Sequence, residues 1–411
     1  MIVGLLTTDS IFVCLFVVFI VFRIFTCLIP SYQMDMIGYL YWSRYLAQWG
    51  TGEFYGIFHV VYPPGYMYLL WISGKLMLWT NAVGSANDFW VKIWSVAFDG
   101  LGAYLLFRLA RRLGSDSAGR LLALFYLIHP TVIVNSSAWG QFDTIFTTIL
   151  FASAYALIVG KKELGAVLFV IAVLTKPQSI FGAVPLIAAY FYGFSLKTSA
   201  GRRSFVFTLL RTVGLVALAY GVIALPFRQG RGVFWVISHL MNSRDDYPYA
   251  TANGFNFWTV VGGQGVVDWE PWLGLTYARW GLILLGVLNA YCGWMVIKGK
   301  ASASAVLQAC FLANLGAFVF YTRMHERYMF PAILFGLSTL IVPSPHRALW
   351  AIAAIGTSLC SFANHWIIYQ MSFRAEYWIL GSDPAALRIA WVTLVLTSIG
   401  LYASWPRPAR G

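Results

Sequence analysis

The sequence predicts an all-α, polytopic integral membrane protein, and three observations carry that prediction. Only 10% of its 411 residues are charged, whereas 60% are hydrophobic and 18% aromatic; soluble domains average about a quarter charged residues. Apolar stretches of about 17 to 25 residues recur along the whole length, each enough to cross a bilayer as a helix. Basic residues gather between those stretches: Arg108, Arg111, Arg112 and Arg120; Lys161 and Lys162; Lys197, Arg202, Arg203 and Arg211; Lys298 and Lys300; then Arg347, Arg407 and Arg410. Such clusters mark cytoplasmic loops. The formal net charge of +13 therefore belongs to loops and not to a nucleic-acid face. A soluble enzyme, a nucleic-acid binder and a disordered scaffold are excluded.

The first apolar segment, near 10–29, is too long for a signal-peptide core and lacks a basic leader and a small-residue cleavage site, so it reads as a retained helix. With every basic cluster inside, further crossings follow near 88–108, 119–137, 141–159, 163–176, 179–195, 204–226, 273–297, 303–321, 327–343, 347–370 and 386–404. That makes about twelve transmembrane helices, with both termini cytoplasmic. The stretch 65–80 is not counted, because a crossing there would put the Arg108–Arg120 cluster outside. It starts after Pro63 and Pro64 and carries Tyr66, Tyr68, Trp71, Lys75 and Trp79, a composition suited to a helix lying in the outer interface. A second amphipathic surface helix is expected at about 36–49. The chain is read as one transmembrane domain, 1–411, with two long outer segments at 30–87 and 227–272. Its five cysteines form no CxxC and no zinc spacing with histidine, and neither a metal nor a cofactor is indicated.

Acids are distributed unlike the bases. Of the fifteen Asp and Glu residues, only Asp9, Asp116 and Glu163 fall on the inner side. Acids contribute little to orientation, so their crowding outside points to work done there. Asp35 follows a membrane exit at Pro30; it suits a base acting on an interfacial substrate, or a helix N-cap. Asp143, in Trp139-Gly-Gln141-Phe-Asp143, likewise reads as a site residue or a cap. Lys176, before Pro177 and Gln178, is either a substrate ligand or a lysine snorkelling to the interface. Arg323-Met-His325-Glu326-Arg327 opens a helix, where free N–H groups and guanidinium forks suit a phosphate; a salt-bridge cluster is the alternative. The long loop supplies Arg244, the pair Asp245-Asp246, and Asn256-Phe-Trp258, a mixture suited to sugar recognition or, for the acid pair, to a divalent cation.

In this order, the outer Asp35, Tyr62-Pro63-Pro64, Gly140-Gln141-Phe142, Lys176-x-Gln178, Asn256-Phe-Trp258 and His325-Glu326-Arg327 resemble the GT-C superfamily of polyprenyl-phosphate-sugar-dependent glycosyltransferases. The resemblance spans about residues 30–330. Its nearest flavour is the dolichyl-phosphate-glucose glucosyltransferases of lipid-linked oligosaccharide assembly. It implies a GT-C-like fold, with Asp35 as catalytic base and Tyr62, Gln141, Lys176, Gln178, His325, Glu326 and Arg327 about the substrates. Pro177 intervenes in the family's Lys-Gln, and Arg327 stands where the eukaryotic branch usually has lysine.

The resemblance thus implies inverting transfer of a hexose from a polyprenyl-phosphate donor to a hydroxyl of a glycan or lipid-linked acceptor, on the outer or lumenal face of the bilayer. The alternative is a transporter or flippase of lipid-linked sugar. The compact inner loops and the absence of an endoplasmic-reticulum retention tail point to a prokaryotic cell membrane, with the endoplasmic reticulum as the other location.

Overall fold

The computed structural model describes residues 8–405, without the side chains of Arg244 and Asp245. Every expected crossing is helical. α1 (Thr8–Thr26) is apolar and mostly exposed, with Arg23 buried near its end. α2 (Gln33–Trp49), the single turn α3 (Phe54–Ile57) and α4 (Gly65–Trp79) follow. α5 (Ser85–Arg112) is the longest helix. α6 (Asp116–Ile128) ends at His129-Pro130, where the chain bends by 43° into α7 (Pro130–Val132) and a π-helical stretch, Ile133–Trp139.

Next come α8 (Asp143–Ile158) and α9 (Lys162–Thr175). Proline restricts the residue before it to extended backbone, and Lys176 accordingly leaves the helix at φ −150° and ψ 128°. A 3₁₀ turn, Pro177–Gly182, leads into α10 (Ala183–Phe191), then α11 (Ser199–Ala224). The long loop holds α12 (Trp235–Asn242), α13 (Phe257–Val260) and short strands. The last part is α14 (Tyr277–Lys298), α15 (Ala303–Phe320), α16 (Pro331–Thr339), α17 (Arg347–Ser372) and α18 (Pro384–Ser404). Strand β1 (Thr251–Ala252) pairs in parallel with β4 (Met324–His325), and β2 (Pro271–Trp272) pairs antiparallel with β3 (Leu275–Thr276).

Among the described residues, seven helices are long and apolar enough to cross a membrane, α1, α5, α11, α14, α15, α17 and α18, and the bent pair after Asp116 makes up to eight. The other expected crossings, α8, α9, α10 and α16, are helices of 9 to 16 residues. They survive at that length because neighbouring helices, not lipid alone, surround them: α16 is buried throughout and α8 nearly so. The chain is an all-α polytopic membrane protein. α4 is not among the spans. It packs on α2 and α5, where Ser73 donates to Trp90 O (2.7 Å) and accepts from Trp94 Nε1 (2.8 Å), while Ile72, Lys75, Leu78 and Trp79 are exposed.

One buried ion pair fixes the bundle near the site. Arg23 Nη2 meets Asp99 Oδ2 at 2.6 Å with both side chains fully buried. Arg23 also donates to Ser137 Oγ and to the carbonyls of Leu127 and Val132, and Ser136 donates to Asp99. Isolated buried charges would cost several kcal/mol each; here every donor has a target, and α1, α5 and the π-helical stretch are tied together.

Candidate functional site

Asp35 is not a cap. It is the third residue of α2, the cap position belongs to Tyr32, and no side chain caps that helix. Its Oδ2 instead accepts from Trp139 Nε1 at 2.8 Å and Gln141 Nε2 at 2.5 Å. Gln141 Oε1 is held in turn by the Tyr39 hydroxyl (3.2 Å), and Tyr32 stacks on the Trp139 ring at 4.3 Å. Gly140 joins the two donors at φ +87°, and a Cβ there would meet Met36 Cε at 2.4 Å. Only glycine fits this turn. Asp35 Oδ1 makes no hydrogen bond among the described residues, and the side chain lines the large cavity.

Asp143 and Lys176 do not cap or snorkel either. Asp143, the first residue of α8, accepts from Lys176 Nζ at 2.5 Å and from Asn135 Nδ2 at 3.1 Å, and both ionic side chains are fully buried. Asn135 also meets His365 Nε2 at 3.3 Å. The Lys176 ammonium lies over the rings of Phe142 (4.8 Å), Tyr328 (5.3 Å) and Tyr62 (5.7 Å), contacts that stabilise a desolvated cation. Tyr62 reaches this point because the start of α4 docks on the end of α9: a Cβ on Gly65 would lie 2.5 Å from Leu174 O. Burial raises the Tyr62 hydroxyl to about 12, which keeps it a proton donor.

The His325-Glu326-Arg327 run leaves β4 and enters a 3₁₀ turn. Arg327 Nη1 donates to Glu326 Oε1 at 2.7 Å, while Arg327 Nε is buried with no partner among the described residues. Burial pushes the Glu326 carboxyl above its ordinary range. Burial, with Arg327 and Lys176 nearby, pushes His325 well below its ordinary value, so the imidazole is neutral. Arg323 is placed differently from its neighbours in sequence: it forks onto Asp268 at 2.7 and 3.1 Å, with the Thr322 hydroxyl on the same carboxylate.

These groups border a cavity of about 660 Å³. Asp35, Tyr62, Gln178, His325 and Arg327 line it, and Gln178 Oε1 is buried without a partner among the described residues. Gln141, Asp143, Lys176 and Glu326 stand behind that lining. Asn256 and Trp258 do not reach it, which corrects their expected role in sugar recognition. Asn256 caps α13, accepting from the amides of Trp258 (3.0 Å) and Thr259 (3.4 Å) and donating to Phe318 O. Trp258 Nε1 donates to the carbonyls of Phe320 and Tyr321. Their polar atoms are spent on backbone. The Arg244 side chain lies outside the described residues. Asp246, half of the acid pair for which a divalent cation was one alternative, meets His59 Nε2 at 2.9 Å, and both line the cavity. His59, Asp268 and His365 were not singled out from sequence. The one available signal was a histidine in the middle of the apolar stretch that forms α17.

A family profile, GPI transamidase subunit PIG-U, matches residues 43–229. That is less than half of the chain, and it begins after Asp35. The matched family is PIG-U rather than the dolichyl-phosphate-glucose glucosyltransferases. No curated protein sequence matches significantly. Among solved structures, ArnT from Cupriavidus metallidurans, crystallised with undecaprenyl phosphate, superposes with a TM-score of 0.51 at 13% identity, over 95% of this chain and 76% of that one. At that identity the likeness is one of fold. The architecture is of the GT-C type.

Proposed function

We propose that the whole chain acts as one transmembrane glycosyltransferase domain, an inverting enzyme that moves a hexose from a polyprenyl-phosphate donor to an acceptor hydroxyl. The observation that carries this reading is Asp35. Two N–H donors hold one carboxylate oxygen, the other is left to a cavity, and Arg327 and His325 border the same space. Asp35 takes the proton of the acceptor hydroxyl as its oxygen bonds to the anomeric carbon. The bond from that carbon to the donor phosphate breaks on the opposite face, so the configuration inverts. The departing polyprenyl phosphate gains negative charge. The unpaired Nε–H of Arg327 and the neutral imidazole of His325 are donors suited to that charge. Lys176, buried behind Tyr62, steadies the wall through its pair with Asp143 instead of touching the phosphate. The fold shared with a protein crystallised on undecaprenyl phosphate supports a polyprenyl-phosphate ligand.

A second reading has its own observation. The PIG-U match favours a non-catalytic subunit of a complex that handles glycosylphosphatidylinositol, in which the cavity would hold a glycolipid without transferring sugar. The transporter reading needs charges free to bind cargo in the membrane, whereas Arg23 and Asp99 are spent on each other. The active face is extracytoplasmic in either reading. Compact basic loops favour a prokaryotic cell membrane, and the PIG-U match favours the endoplasmic reticulum. Proteoliposomes given labelled polyprenyl-phosphate hexose and a lipid extract separate the three. Transfer of label to an acceptor is the expected result; label crossing the bilayer means a flippase, and retention of unmodified donor means a binding subunit.

A further inference from the structure

A second polar cavity, of about 550 Å³, lies at the far end of α5 and is lined by Tyr104, Phe107, Arg108, Arg111, Arg112 and Tyr155. Arg108 is 13 residues beyond Ser95, whose hydroxyl donates to Gln141 O, so at 1.5 Å per residue this cavity lies roughly 20 Å along α5 from the Asp35 site. Tyr104, Arg108, Arg111 and Arg112 follow the spacing i, i+4, i+7, i+8. They form one stripe on one helix face. Tyr155, from α8, stands across from it.

Like charges three and four residues apart on a helix repel, and little here relieves them. Arg111 is 3.7 Å from Asp116, with both side chains largely exposed. Arg108 turns back onto the Tyr104 hydroxyl (2.7 Å) and over its ring. Arg112 makes no ion pair or hydrogen bond among the described residues. Two further features distinguish this cluster from a plain cytoplasmic basic loop. The guanidinium groups border a concave space, and that space has a defined vertical order. Tyr104 lies one turn before Arg108 and Phe107 one turn before Arg111, both toward the bundle, and the exposed Leu101 lies beyond them. An aromatic layer below a cationic layer matches the boundary between lipid tails and headgroups.

We infer that this cavity binds the phosphate headgroup of an anionic phospholipid, with its acyl chains descending past Tyr104 and Phe107. Guanidinium forks grip phosphate oxygens in pairs, and a phosphomonoester such as phosphatidic acid brings close to two negative charges. The aromatic layer has no role toward a soluble anion, so the ligand is a lipid.

The test is thermal unfolding of the full chain in a neutral detergent, with phosphatidic acid, phosphatidylcholine or inorganic pyrophosphate added. Phosphatidic acid should raise the midpoint by about 4 °C relative to phosphatidylcholine at saturating lipid. Arg108→Gln with Arg111→Gln should abolish that difference while leaving the midpoint in phosphatidylcholine unchanged, since both side chains are exposed. If the double variant does not fold, Arg112→Gln alone should at least halve the shift. An equal response in wild type and variant would overturn the site. A response to pyrophosphate equal to that of phosphatidic acid would overturn the lipid assignment.

Discussion

Replacing Asp35 by asparagine removes a charge and a proton acceptor while keeping shape. In the structure, Trp139 and Gln141 both donate to Oδ2, and the asparagine carbonyl oxygen can accept both. A hydrogen bond to a charged group contributes about 1.5–3 kcal/mol and a neutral one about 0.5–1.5. Two such exchanges cost about 2 kcal/mol of stability, which a chain of this size tolerates. The rate should suffer far more. Loss of a general base lowers turnover about 10² to 10⁴-fold, equivalent to roughly 2.7 to 5.4 kcal/mol in the barrier. The assay is transfer from labelled polyprenyl-phosphate hexose in proteoliposomes, with donor binding measured separately by retention of label. Binding should change little and transfer should vanish. A well-folded variant that keeps more than about a third of the wild-type rate would refute Asp35 as the base. Asp143, neutralised by Lys176 behind the wall, would not inherit the role. The next candidate would be Asp246, which borders the same cavity.

Lys176→Met should lower stability by about 3–5 kcal/mol by stranding the buried Asp143, and adding Asp143→Leu should recover at least half of the loss in thermal unfolding; no recovery would mean the pair is not a unit. Arg327→Gln combined with Glu326→Gln avoids leaving either charge buried alone, and should weaken donor binding by about 1.5–3 kcal/mol; unchanged retention of label would assign the cluster to structure. His325 is held neutral with its folded value below its unfolded one, so its contribution is full above about pH 6.5 and is lost as pH falls below that. Unfolding midpoints measured from pH 7.5 to 5 should therefore fall less steeply in His325→Asn than in wild type, and parallel slopes would refute this. Cysteines at Lys75 and Leu273, both exposed, should react with an impermeant thiol reagent from outside; labelling at 75 only after permeabilisation would put α4 through the membrane.

Hydropathy carried the helices, because the cost of an unpaired peptide group in lipid forces every apolar stretch into one. It carried their number less well. α8, α9, α10 and α16 are apolar like the rest, but the sequence does not say that a segment's neighbours are protein instead of lipid. Asp35 stood out in the sequence by its place after the first crossing, and it lines the cavity. Its partners did not stand out, since Trp139 and Gln141 lie more than a hundred residues away and are brought near by a bend that propensity does not encode. Where side chains have other partners than the sequence suggests, the cause is competition for their polar atoms. Asn256 and Trp258 have the chemistry of sugar recognition, but local backbone groups claimed their hydrogen bonds first. Asp143 and Lys176 each had a sound local reading that a long-range partner displaced.

The π-helical stretch Ile133–Trp139 constrains how this chain can change in length during evolution. An α-helix advances about 100° per residue, and a π-helical turn absorbs an extra residue without moving what lies beyond it. Deleting one residue from Asn135–Ser137 would therefore restore α-helical turns and leave Trp139 in place, but it would remove one of the side chains that hold Asp143, Asp99 and Arg23. Insertions are better absorbed in the loop at 227–272, where they shift no element that holds the carboxylate. A relative lacking one residue in this stretch could keep its tryptophan on the acid but would have to rebuild the polar contacts behind it.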